Sequence, residues 1–189
     1  MRIHLLTVMA LLPLPACGPP EQGAESARPP SVRMAYLPTW SSATTMEWLT
    51  GPAPPELTHL AYAFVKPVAM PGGGVDLLLR YPEDGRPVPE EGGNGAPPDP
   101  LDAMKTYAAK HPPAKLLFSI GGWGLSADFS DIAADPARRA AFVDGVLALL
   151  AEHGFDGVDL DWEFPVSGGA ANTRHRPEDA VNFTTLARE

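Results

Sequence analysis

The chain has 189 residues, room for one domain of ordinary size, and 44% of them are hydrophobic, enough to fill a core. Fourteen Lys and Arg against 23 Asp and Glu leave a formal net charge of -9, and no basic stripe exists to neutralise phosphates, which argues against a nucleic-acid partner. The single cysteine, Cys17, excludes an internal disulfide and a cysteine metal site, and the five histidines show no ligand spacing, so neither a metal nor a cofactor is expected.

Residues 1–17 read as a secretory signal. Met1-Arg2-Ile3-His4 is a short, weakly basic start, and residues 5–14 are apolar apart from Thr7 and Pro13, too short a run to span a bilayer. Leu14-Pro15-Ala16-Cys17 resembles the lipobox of bacterial lipoproteins, in which the cysteine is acylated, although Pro15 departs from the small or apolar residues usual there. That resemblance implies a secreted or cell-envelope protein that meets a membrane only through a lipid on Cys17. Residues 18–31, rich in Pro and Gly, read as a flexible tether, and the folded domain is expected over 32–189.

Within that domain, residues 32–37, 57–65, 115–120 and 158–162 read as strands. The second and third are apolar on both faces, as in parallel sheets covered by helices. Between the first two strands the best helix is weak, over 44–49. Residues 99–111 carry Leu101, Met104, Tyr107 and Ala108 at helical spacing and stop at Pro112-Pro113. A third helix starts at the Asp135 cap with Pro136 in its first turn, buries Phe142, Val146, Leu149 and Leu150, and ends at Gly154. Strand alternating with helix indicates right-handed βαβ units. Residues 67–98, rich in Gly and Pro, break the rhythm as an excursion loop with a short hairpin around 75–79.

The chemistry concentrates in the fourth strand. Asp159, Asp161 and Glu163 alternate with Val158, Leu160 and Trp162, which puts three carboxylates on one face with carbons about 6–7 Å apart. Such a row repels itself, so a buried one must be compensated. A merely solvated edge strand is disfavoured because Val158, Leu160 and Trp162 are too apolar to face water.

Asp156, Asp159, Asp161 and Glu163 together match the DxxDxDxE signature, so the segment resembles the glycoside hydrolases of family 18, the chitinase family. Ser119-Ile120-Gly121-Gly122-Trp123 resembles the family's SxGG motif, and Tyr36, Trp40 and Tyr62-Ala63-Phe64 fit its first two strands. Pro165 to Gly169 and Arg176 to Phe183 look like the bacterial chitinase A branch. The resemblance implies an α/β fold of the TIM (β/α)8 barrel class, represented here by the first four βα units, so a fragment or truncated product is expected. It implies a chitinase that cleaves β-1,4 bonds between N-acetylglucosamine units by substrate-assisted, retaining catalysis, with chitin or its oligosaccharides as partner.

By the same resemblance Glu163 is the proton donor. Asp161 raises the acid's pKa as a like charge and holds the acetamido group, and Asp159 shares a proton with Asp161. Tyr36, Trp40, Phe64, Gly122 and Trp123 are expected on the sugar, while Asp156, Ser119 and Gly121 build the motif. Trp162 and Tyr62 are expected in the core. Three other readings stay open: an endo-β-N-acetylglucosaminidase of the same family, a chitin-binding lectin, and an inactive remnant. The Trp40 and Trp123 platforms favour chitin, and the presence of Glu163 speaks against a lectin.

Overall fold

The computed structural model describes residues 31–41, 43–81 and 100–189. The signal-like segment, Cys17, the tether up to residue 30 and the Gly- and Pro-rich stretch 82–99 lie outside the described residues.

The apolar runs form the strands β1 (Met34–Pro38), β2 (His59–Ala69), β4 (Lys115–Gly121) and β5 (Gly157–Asp161), with β3 (Val75–Leu78) between them in the chain. β1, β2, β4 and β5 are parallel and lie in that spatial order. The helices are α1 (Ala43–Thr50), α2 (Pro100–Lys110), α3 (Phe129–Ala134), α4 (Pro136–His153) and α5 (Asp179–Leu186). Each parallel strand is therefore followed by helix, giving four βα units within Val32–Glu189.

One face of the sheet is the core. Leu60, Tyr62, Leu116, Phe118 and Ile120 are buried there together with Met104 and Tyr107 from α2 and Phe142 and Leu149 from α4. Phe118 stacks on Phe155 at 4.2 Å between centroids. Side chains of this size each contribute about 1.5–3 kcal/mol on full burial, which is why the two-faced strands need helices over them.

Two sequence expectations are corrected in extent. β2 runs on to Ala69 instead of stopping near Val65, and its last residues pair antiparallel with β3, Lys66 with Leu78 and Ala69 with Val75. Beyond Val65 the strand has left β4, so Pro67, which has no N–H to donate, breaks no ladder on that side. The fourth parallel strand ends at Asp161, so Glu163 stands two residues past it. The hairpin at 75–79 is present, while α3 was not expected; six residues are too few for a helical period to show.

α4 begins and ends as its sequence requires. The Asp135 carboxylate accepts from the N–H of Ala137 at 2.7 Å and of Arg138 at 3.2 Å, and these bonds hold its pKa below the usual carboxylate range. At the other end Gly154 takes φ 69, and its N–H donates to the Leu150 carbonyl.

Candidate active site

The register decides what shares a face with the acids. Ala63 of β2 pairs with Ser119 of β4, and Ser119 with Asp159 of β5; one step on, Gly121 pairs with Asp161. Since side chains alternate across a strand, Tyr36, Ala61, Ala63, Ser119, Gly121, Asp159 and Asp161 all lie on the face opposite the core. Small residues thus occupy the ground between Tyr36 and the two aspartates.

Across that ground the Tyr36 hydroxyl donates to Asp159 Oδ2 at 3.0 Å, and Ser119 Oγ donates to the same oxygen at 2.8 Å. β1 and β5 are three strand spacings apart, about 14 Å in a flat sheet. A tyrosine and an aspartate bridge that span because the sheet curls toward this face, as in an arc of a barrel. Burial, the bond to Asp159 and the charges of Asp159 and Asp161 raise the Tyr36 phenol to about 12.

Asp161 is the carboxyl pushed upward in the row. Burial is the main cause, and the neighbouring charges of Glu163 and Asp159 add to it. Asp156 sits at the opposite end of the strand, where it binds Lys115 Nζ at 2.8 Å and the N–H of Leu116 at 2.9 Å. Burial acts to raise its carboxyl, but the Lys115 ammonium and the Leu116 N–H outweigh it, and the net shift is downward.

The acid end of β5 is tied to β4 by a residue the sequence did not single out. Ser126 is fully buried, and its hydroxyl accepts the N–H of Glu163 at 2.9 Å while facing the carbonyls of Gly122 at 2.9 Å and Asp161 at 3.2 Å. Gly122 N–H adds a bond of 2.8 Å to the Asp161 carbonyl. Gly121 and Gly122 have φ of 109° and 92°, and a Cβ on Gly122 would lie 3.2 Å from the Phe64 ring. Both glycines are therefore held by backbone conformation and by close neighbours.

Beside the carboxylates opens a cleft of about 310 Å³ lined by Trp40, Phe64, Gly121, Gly122 and Trp123, together with Lys66, Tyr81 and Asn172. The three carboxylates are not part of its lining; Gly121 borders both regions. Phe64 is the middle of a run of tilted rings, with its centroid 6.5 Å from that of Tyr36 and 6.4 Å from that of Trp40. Trp123 is 60% exposed and meets Phe164 edge-on at 6.4 Å. Sugar rings present C–H faces, and a row of exposed aromatic faces suits them. Trp162, as expected, turns to the core: it is 4% exposed and stacks on Phe129 at 5.4 Å. Tyr62 is likewise buried.

Comparison with known proteins adds the family. The model for glycosyl hydrolases family 18 matches residues 32–189. The chain belongs to that family. It is 28% identical to Chitinase A1 of Niallia circulans over 181 residues, covering 81% of this chain and 26% of that protein. Among solved structures it resembles chitinase ChiA74 of Bacillus thuringiensis, with TM-score 0.61, 27% identity, and coverage of 83% of this chain and 31% of the other. It also resembles the cell-surface-expressed chitinase ChiW of a Paenibacillus species, with TM-score 0.60, 29% identity, and coverage of 84% and 18%. The chain thus spans about a quarter to a third of the first two relatives. Its four βα units form part of a family 18 barrel, not closed on themselves.

In this family 18 chain the upward shift at Asp161 has a consequence for stability. The folded protein holds the Asp161 proton to higher pH than the unfolded chain does, so between the ordinary aspartate value and the raised one the folded state binds more protons. Stability from this group is therefore fully present below the ordinary aspartate range, about pH 3.9, and is lost as pH rises through the raised value. Asp161→Asn is expected to remove that loss. The difference in melting temperature, variant minus parent, should grow between pH 3 and neutrality in favour of the variant. A difference that is flat with pH, or that shrinks, would contradict the shift.

Proposed function

We propose that the chain carries the acid half of a chitinase site, acting on β-1,4-linked N-acetylglucosamine by substrate-assisted catalysis. The observation that carries this is Asp161: a carboxyl whose pKa is raised by burial and by the charges of Glu163 and Asp159, beside Glu163 and next to an aromatic cleft. In the proposed reaction Glu163 gives its proton to the glycosidic oxygen as the bond to C1 breaks. The oxygen of the sugar's own acetamido group attacks C1 and forms an oxazolinium ion, with Asp161 accepting the acetamido N–H and stabilising the developing positive charge. Water then opens the ring, returning its proton to Glu163 and leaving the β configuration intact. Asp159, held by Tyr36 and Ser119, orients Asp161 and shares its charge.

The acetamido group is indispensable in this scheme, and that supplies the test. N-acetylchitooligosaccharides should be hydrolysed with retention, followed by NMR of the fresh anomer, and cello-oligosaccharides of equal length should not. Comparable rates on both, or an inverted product, would refute the mechanism.

The segment ending at Cys17 supports a second, coarser proposal: export, with a lipid on Cys17 holding the domain at the cell envelope. The cell-surface location stated for the Paenibacillus relative agrees with it.

A further inference from the structure

We propose that Asp128 and Arg174 form a bracket that sets the position of the Trp123 wall of the cleft; the sugar-binding part of this inference rests on the function proposed above. Asp128, just before α3, uses both oxygens. Oδ2 accepts the N–H of Ala69 at 2.8 Å, at the end of β2 where the hairpin with β3 begins. Oδ1 takes the guanidinium of Arg174, from the loop after β5. Arg174 Nε also lies 2.9 Å from Asp131 Oδ2, and Asp131 Oδ1 binds Arg176 Nη2 at 2.5 Å. Arg176 continues inward to Ser130 Oγ at 2.7 Å, and Ser130 donates to the fully buried Asp179 at 2.8 Å.

This is more than a surface ion pair. The Asp128 and Asp131 side chains are only 18% and 20% exposed, so water screens them weakly and a lost partner leaves a charge uncompensated. The loop held by Arg174 meets the Trp123 segment twice. Asn172, two residues before Arg174, donates to the Gly124 carbonyl at 3.3 Å, and Phe164 sets its ring against Trp123. The opposite wall, Phe64 and Lys66, belongs to β2, whose end Asp128 also holds. One carboxylate therefore joins the two sides of the cleft. Trp123 is exposed, so its tilt depends on these neighbours and not on core packing. Arg174 is a positioning residue: it acts on the cleft through the loop it holds.

The test uses protein labelled with 5-fluorotryptophan, the four fluorine resonances being assigned by single Trp→Phe changes. Arg174 is 52% exposed, so Arg174→Met should fold. It should shift or broaden the Trp123 resonance and leave that of Trp162 in place, Arg174→Lys should restore much of the parent line, and Asp128→Asn, which keeps an acceptor for Ala69, should copy Arg174→Met. In parallel the affinity for chitohexaose should fall about tenfold in Arg174→Met, as a displaced contact residue would cause. A Trp123 line that stays put, or one that moves only together with Trp162, overturns the bracket. Equal chitohexaose affinity in parent and variant overturns its role in sugar grip. Should the parent bind no chitohexaose, the chitin reading falls and the fluorine lines still decide the bracket.

Discussion

Glu163→Gln is expected to lower hydrolysis of N-acetylchitooligosaccharides by about 10²–10⁴-fold, the usual contribution of a general acid, with affinity for the same oligosaccharides within about twofold of the parent. Glutamine keeps the size of the side chain and can still hydrogen-bond, but it has no proton to give. The nucleophile is untouched, because in the proposed reaction it belongs to the sugar. The backbone should hold as well, since the Glu163 N–H that binds Ser126 survives the change. The substitution also removes one of the like charges that raise Asp161, so the upward shift there should shrink to what burial and Asp159 sustain. Turnover and binding, measured on the same preparation, decide the matter. A variant that cleaves at the parent rate refutes the assignment of the acid, and one that has lost binding as well points to damage beyond the lost proton.

Gly121→Ala should be strongly destabilising. A Cβ there would stand 2.3 Å from the carbonyl oxygen of Asp161 and 2.7 Å from Cε2 of Phe129, at φ 109. Neither neighbour is a loose chain end: one is backbone of the acid strand, the other a fully buried ring. Adding strain at positive φ to a clash with fixed atoms, the expected loss is at least about 3 kcal/mol. Gly124→Ala serves as the control. No atom lies within 4 Å of its added Cβ, and the change should stay within about 0.5 kcal/mol. Urea unfolding of both variants measures the difference. Near-equal midpoints would mean that β4 and β5 approach less closely at Gly121 than described. Should Gly121→Ala remain folded, it must push Asp161 outward, and activity should fall even where the protein is intact.

What could be read in the sequence shares one property: the residues that reveal it are near one another in the chain. The alternation from Val158 to Glu163, the two-faced runs of β2 and β4, and the Asp135-Pro136 start and Gly154 stop of α4 are all local patterns. The rest depends on meetings between distant residues. Ser126 looks like any loop serine until the register brings Asp161 and Glu163 to its hydroxyl. Lys66, Tyr81 and Asn172 reach one cleft from three parts of the chain. Spacing showed that Asp161 and Glu163 crowd each other, but not that burial would be the main cause pushing Asp161 upward. Nor could composition reveal that β2 outruns β4 and goes on beside β3, a stretch in which Pro67 breaks no ladder with β4.

The bond from Tyr36 to Asp159 joins residues 123 positions apart. Contacts of such long sequence separation require a large loop to close first, and they are therefore among the slow events of folding. Local pieces such as α4 can form early, whereas the carboxylate cluster takes shape only after β1 and β5 have both joined the sheet. The cluster is thus a late reporter of assembly: the chain cannot own its chemistry while either outer parallel strand is still searching for its place.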